Sequence, residues 1–130
     1  MTLTEIEDML PNGFHDARIK SIKIDYVNRG ATFDMDIWVA DEEDPEVYRA
    51  AQLTLSQLLF CVMEAPDSKY PYQEEKPLWI GAGSVENSEA PSSTQLPKPL
   101  PEGAFVHWFF VNDWNAFIHV AAMDAHLNLQ

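Results

Sequence analysis

The sequence predicts a mainly β protein, with an antiparallel sheet that is curled or packed as a sandwich, one short N-terminal helix and a long proline-rich loop. Three observations lead to this fold class. Residues 13–39 have the pattern of a long β-hairpin, residues 104–111 are apolar on both faces, as in a central strand, and a second hairpin pattern extends to residue 129. The 130 residues fit one domain, 1–130, in which segment 65–103 holds seven of the nine prolines.

The segment 2–10 is predicted as a helix that docks on the sheet through one apolar face. Thr4 and Glu7 fit a capping box, in which the hydroxyl and the carboxylate each accept a hydrogen bond from an otherwise unpaired backbone amide. Pro11, Asn12 and Gly13 then end the helix. The apolar face consists of Leu3, Ile6, Met9 and Leu10.

In the first strand of the hairpin, the apolar residues expected to face inward change from odd numbers at Ile19 to even numbers at Ile22. This change favours a bulge near Lys20 and Ser21. Residues 28–30 are predicted to form the turn, with Gly30 at positive φ. In strand 31–39 the inward side chains are Phe33, Met35, Ile37 and Val39, and the outward ones are Thr32, Asp34, Asp36 and Trp38.

The remaining elements have less regular sequence patterns. A strand spans about 48–56 with Leu53 and Leu55 inward, and 58–63 fits a strand or a helical turn. Residues 78–80 form a short apolar island that fits a strand, and 83–103 has the composition of a long surface loop. The last hairpin turns at Asn112 and Asp113, and a second parity change favours a bulge near Met123.

The charge balance of 21 acidic against 8 basic residues gives a formal net charge of −13. Such a surface repels nucleic-acid phosphates and anionic membranes, so neither is expected as a partner. It attracts a basic protein, although solubility alone also explains the charge. The single Cys61 and an N-terminus without a basic, then apolar, leader predict a cytoplasmic protein.

The first candidate site is a binding face on the first hairpin. Asp34 and Asp36 share the outward side of one strand with Trp38, which would place an aromatic beside acidic groups. An acidic loop follows and lacks the spacing of a calcium-binding loop. Its members are Asp41, Glu42, Glu43 and Asp44. These residues suggest a non-enzymatic module that binds a basic protein partner.

The alternative is a small enzyme or ligand-binding domain with a pocket near His15, His107 and His119. Asp16 follows His15, but adjacent strand residues point to opposite faces, so Asp16 is not expected to orient the imidazole. His107 and His119 face each other across the last hairpin only if its loop has three residues. The histidine and cysteine spacings predict no metal site, and no motif predicts a catalytic residue or a cofactor.

The opening LPNGFHDA and the closing FIHVAAMDAHLNL resemble a group of small bacterial proteins that share a Phe-His-Asp tripeptide, an antiparallel β body and a final Ala-x-Leu strand. Some of these are similar to immunity proteins of polymorphic toxin systems, which bind and neutralise a toxin. The resemblance covers residues 10–60 and 104–129 and implies a binding protein without catalytic residues.

Self-association is also predicted. If strand 31–39 lies at a sheet edge, its unpaired amides and the outward Trp38 invite a two-fold contact. The expected state is a homodimer, with the proline-rich segment 83–103 as a further contact, and the charge of −13 on each subunit opposes it at low salt.

Overall fold

The computed structural model describes residues 1–40, 47–70, 73–83 and 92–130. One helix precedes six strands. Their bounds are α1 Leu3–Met9, β1 Arg18–Asp25, β2 Gly30–Trp38, β3 Tyr48–Met63, β4 Leu78–Gly83, β5 Phe105–Val111 and β6 Ala116–Leu129. The prediction of a mainly β fold with one short helix is therefore confirmed.

All strand pairs are antiparallel, and the sheet closes on itself as a barrel in the order β1-β2-β3-β6-β5-β4. The first three strands form one meander and the last three form another. β3 and β6 join them along a ladder that runs from Ala51 opposite Leu129 to Met63 opposite Ile118. β4 falls within the proline-rich half of the chain and closes the barrel by pairing with β1 through two positions, Arg18 with Trp79 and Ile19 with Leu78.

Alternating apolar residues fill the interior, as the pattern of β2 predicts. Phe33, Met35 and Ile37 are each fully buried, and Leu53 and Leu55 on β3 are buried beside them. Residues 58–63, which fit a strand or a helical turn, continue β3 as a strand. The barrel therefore has one continuous apolar core that also includes Leu3, Ile6, Phe14, Ile80, Phe105, Phe109, Val111, Ile118 and Val120.

The helix is capped by Thr2, and the predicted cap at Thr4 is wrong. Thr2 has an extended backbone, and its hydroxyl accepts a hydrogen bond from the amide of Glu5. Because a cap residue must lie outside the helix, the cap at Thr2 starts α1 at Leu3 and turns Leu3 and Ile6 onto the barrel. The helix ends at Met9, which is 70 % exposed and not part of the buried face.

The bulge predicted near Lys20 is confirmed, since the register of β1 with β2 shifts between Ile19 and Ser21. The predicted turn is displaced: Asp25 pairs with Gly30, and Arg29 rather than Gly30 has the positive φ, at 53°. Gly30 already belongs to β2, where an added Cβ would lie 3.4 Å from the carbonyl oxygen of Leu55.

The second predicted bulge, near Met123, is wrong. The ladder keeps its register from Ser56 opposite Asp124 to Leu58 opposite Ala122, and the register shifts between Leu58 and Phe60 on β3. Gln57 has a φ of 51°, and at this residue the buried positions of β3 change from odd to even numbers. The buried positions of β6 change at the facing point of the ladder. The two strands change together, and β6 therefore needs no bulge of its own.

β2 is not an edge strand, which corrects the argument for self-association. It pairs with β3 from Gly30 to Trp38 and with β1 from Gly30 to Asp36. The homodimer stays a prediction without this support. The described part of the chain holds no helix with the length and apolar character needed to cross a membrane.

Candidate functional site

The β1–β4 pairing brings Trp79 to Asp16 at one end of the barrel. The indole Nε1 of Trp79 donates a hydrogen bond of 2.8 Å to Asp16 Oδ1. The backbone of Asp16 is fixed as well, because its amide donates to the carbonyl of Ile80 and its carbonyl accepts from the hydroxyl of Tyr48. Trp79 stays 40 % exposed, so its indole is held in place while part of the residue remains in solvent.

His15 lies in the same cluster, and Asp16 does reach it. His15 Nδ1 is 3.0 Å from the carbonyl oxygen of Gly81, which can only accept, so Nδ1 is the donor. His15 Nε2 is 3.4 Å from Asp16 Oδ2 and forms an ion pair with it when the ring is protonated. The expectation that Asp16 cannot orient His15 is wrong because the residues before β1 form a turn, in which Asp16 has a φ of 60°.

Arg18 adds a cation between two aromatic rings. Its guanidinium carbon lies 4.5 Å from the ring centroid of Tyr48 and 5.9 Å from that of Trp79. A guanidinium at such distances interacts favourably with the negative face of an aromatic ring. With Trp38, whose ring centroid is 6.5 Å from that of His15, these side chains form what we call the aromatic cluster: His15, Asp16, Arg18, Trp38, Tyr48 and Trp79.

Trp38 is half-buried rather than fully outward as an edge residue would be. Its backbone carbonyl accepts a hydrogen bond of 3.2 Å from the side-chain amide Nδ2 of Asn12. Among the described residues, no acceptor reaches the buried indole Nε1 of Trp38. A buried donor without an acceptor costs folding free energy, so this position lowers the stability of the fold.

The two predicted acids on β2 are engaged within the sheet. Asp34 accepts hydrogen bonds from the Ser21 hydroxyl and the Gln52 amide, which lower the pKa of its carboxyl. Asp36 Oδ1 is 3.2 Å from the ammonium of Lys20. On the outward face of the first hairpin, each of these two acids therefore already has a hydrogen-bond donor or a cation beside it. The loop residues Asp41, Glu42, Glu43 and Asp44 lie outside the described residues.

The three histidines of the alternative pocket do not share a site. His107 is opposite Val120 and faces the interior, with its ring centroid 4.9 Å from that of Phe109. His119 is opposite Trp108 and faces the outside of the barrel. They lie on opposite sides of the sheet because the turn has four residues, with Val111 opposite Ala116. Burial lowers the pKa of His107 to about 4, so its imidazole is neutral at pH 7.

His119 belongs to a second polar centre, which sequence reasoning missed. Its Nε2 is 2.9 Å from Glu64 Oε2, which also accepts hydrogen bonds from the hydroxyls of Ser92 and Thr94. Glu64 Oε1 accepts from the amide of Phe117. Burial alone raises the pKa of Glu64, but the four donors outweigh it and lower the pKa to about 2. All of these groups bind one carboxylate, so the arrangement ties segment 92–94 to β6.

A cleft of about 680 Å³ lies on the other side of the β1–β4 pairing. Lys20, Leu78 and Trp114 line it, together with Tyr70 and Lys76. Lys76 Nζ is 3.6 Å from Asp113 Oδ1, and the other oxygen of Asp113 accepts from the amide of Trp79. Within the described ranges, no group of three or more His, Cys, Asp or Glu side chains could hold a metal ion.

Comparison with protein-family models, with curated proteins and with solved structures finds no match for this chain. The resemblance to immunity proteins therefore stays a prediction.

Proposed function

We propose that this protein is a non-enzymatic, immunity-like binding module of the cytoplasm that recognises a basic protein partner through its aromatic cluster. The combination of order and exposure at Trp79 supports this proposal best. Its indole is fixed by the hydrogen bond to Asp16, yet 40 % of the residue is exposed. An ordered aromatic that is left in solvent loses little conformational freedom when a partner covers it.

The composition of the cluster also supports a protein interface. Tryptophan, tyrosine and arginine are the residues that most often dominate binding energy at such interfaces. Arg18 is stacked between Tyr48 and Trp79, so these three side chains are arranged before a partner arrives.

Charge supports the choice of a basic partner. A net charge of −13 accelerates encounter with a positively charged protein and disfavours nucleic acid. The predicted acidic residues Asp41 to Asp44 follow Trp38 closely in sequence, so the acidic loop and the cluster can act on the same partner. The acids Asp34 and Asp36 on β2 contribute to the same field.

The test is affinity capture from the native cell lysate with three baits at low and moderate salt. The baits are the unchanged protein, Trp79→Ala and, as a matched control at the far end of β1, Tyr26→Ala, since Tyr26 is 84 % exposed. We expect a basic protein on the first and third baits, with affinity reduced about tenfold or more for Trp79→Ala and reduced as salt rises.

Thermal unfolding of each bait shows whether Trp79→Ala stays folded. A partner that binds Trp79→Ala as tightly as the unchanged protein contradicts the proposed surface. A partner that is acidic, or whose binding ignores salt, contradicts the proposed electrostatics. Capture of no protein above the level of empty beads contradicts the proposed function.

A further inference from the structure

β1 is paired unequally on its two sides. Its register with β2 runs from Arg18 to Asp25, whereas its register with β4 stops at Ile19. Beyond Ile19, no strand in the described ranges lies on the β4 side of β1. The backbone of residues 20–25, which we call the open edge, therefore presents amide and carbonyl groups to which a further extended chain can bond.

The inner face of the open edge is incompletely covered. Ile22 and Ile24 point toward the core but are only half-buried. Their neighbours on β2 are fully enclosed: Phe33, opposite Ile22, is 0 % exposed and Ala31, opposite Ile24, is 2 % exposed. Apolar side chains of an added strand would cover the two isoleucines, since directly opposed residues on one face of a sheet are in contact.

The outer face of the open edge carries more cations than acids, although the protein as a whole is acidic. Lys20 and Lys23 are both exposed there, and with Arg18 they place three of the chain's eight cations on this one strand. Asp25 ends the strand, and Lys20 Nζ already lies 3.2 Å from Asp36 Oδ1 on β2. Lysines at a strand edge repel a second copy of the same strand. The same lysines attract an acidic strand, so the edge discriminates between the two.

The cleft lies at the end of the open edge. Lys20 and Leu78 line it, and they come from the two strands that separate there. Trp114 and Tyr70 give it aromatic walls. In strand addition, backbone hydrogen bonds supply affinity and pockets beside the edge select side chains. The cleft can serve as such a pocket for an apolar side chain at one end of the added segment.

We propose that the open edge binds an extended peptide segment of a partner, in which acidic and apolar residues alternate, by addition of a strand to β1. The acidic residues lie beside Lys20 and Lys23, and the apolar residues cover Ile22 and Ile24. This site is separate from the aromatic cluster and selects the opposite charge. It therefore does not depend on the basic partner proposed above.

The test uses three capped heptapeptides as probes: acidic TEVEIET, basic TKVKIKT and the interrupted TEVPIET, which lacks a central amide. Binding to the whole protein is followed by two-dimensional amide NMR. We expect TEVEIET to shift the amides of residues 20–25 and the indole signal of Trp114, and the other two peptides to bind at least tenfold more weakly. Equal binding of TKVKIKT or TEVPIET, no binding of TEVEIET at millimolar concentration, or shifts confined to other strands would overturn the proposal.

A charge-reversal variant tests the same point from the side of the protein. We expect Lys20→Glu with Lys23→Glu to weaken binding of TEVEIET about five- to tenfold and to strengthen that of TKVKIKT. Lys98→Glu, which changes the charge by the same amount as Lys23→Glu but lies outside β1, should leave both affinities unchanged. If the double variant unfolds, Lys23→Glu alone should weaken binding of TEVEIET about threefold. Unchanged affinities in a folded Lys23→Glu protein contradict the role of the lysines.

Discussion

Two lines of strand pairing differ sharply in length. The β3–β6 ladder runs from Ala51 to Met63 and buries side chains along its inner face, whereas the β1–β4 pairing has two positions and leaves a cleft on one side of it and the aromatic cluster on the other. Extended pairing stabilises the fold because it encloses apolar residues on both sides. Where pairing stops, backbone and side-chain groups remain free to bind, so stability and recognition are expected to depend on different strands.

The largest expected effect is on the β3–β6 side. Leu55 is fully buried, between Ala31 on β2 and Ala125 on β6. We expect Leu55→Ala to lower the free energy of unfolding by about 2–5 kcal/mol, because it leaves a cavity that the short neighbouring alanines cannot fill. Urea denaturation measures this value. A loss below about 1 kcal/mol would show that this ladder does not dominate stability.

The interior should also be sensitive to acid through His107. Its pKa is about 4 in the folded protein against a usual 6.5, so the unfolded chain binds a proton first as pH falls. The folded state should lose up to about 3 kcal/mol between pH 6.5 and 4 from this group. His107→Leu should remove that part of the pH dependence, and His126→Gln on the exposed face of β6 should keep it. Denaturation midpoints of the unchanged protein and of both variants, measured at several pH values, test this expectation.

Glu64 is expected to act at lower pH, on the outside of the barrel. Its folded pKa of about 2 lies below the usual 4.5, so its stabilising effect is complete above pH 4.5 and is lost as pH falls toward 2. Glu64→Gln should cost about 2 kcal/mol at pH 7 and flatten the curve in that window. It should also speed proteolysis of segment 92–103. Equal cleavage rates in the two proteins would show that the carboxylate does not hold this segment.

The smallest effect is expected at the open edge. Ile22 is half-buried there, so Ile22→Ala should cost about 1 kcal/mol, in contrast to Leu55→Ala on β3. The same urea titration compares the two variants directly. A cost equal to that of Leu55→Ala would mean that a further part of the chain already covers Ile22, and the open edge would then be closed.

The sequence predicts the local parts of this fold well because they depend on alternation. The parity of Ile19 and Ile22 locates the bulge at Lys20, and β2 follows the predicted alternation as far as Trp38, whereas Val39 lies beyond the strand and is half-buried. Closure of the barrel could not be predicted, since it depends on Arg18 meeting Trp79, two residues far apart in sequence. The last turn has four residues, 112–115, rather than the predicted Asn112 and Asp113 alone, and this register places His107 and His119 on opposite faces.

The aromatic cluster was only partly predictable for the same reason. His15, Asp16 and Trp38 are singled out by the sequence, but they meet only because β4 contributes Trp79 and Gly81. The role of Glu64 was hard to predict, because two of its donors come from segment 92–94, which has no strand or helix pattern. An acid directly after the apolar run 58–63 was the one available indication.

The strand order also implies an order of assembly. Each meander consists of strands adjacent in sequence, so each can form through short loop closures, whereas β3 with β6 and β1 with β4 require distant parts of the chain to meet. The β3–β6 ladder forms the most paired positions in one closure, and the two-position β1–β4 pairing forms the fewest. We therefore expect the β1–β4 contact to form last in refolding and to open first in native-state hydrogen exchange, while the two joined meanders stay folded.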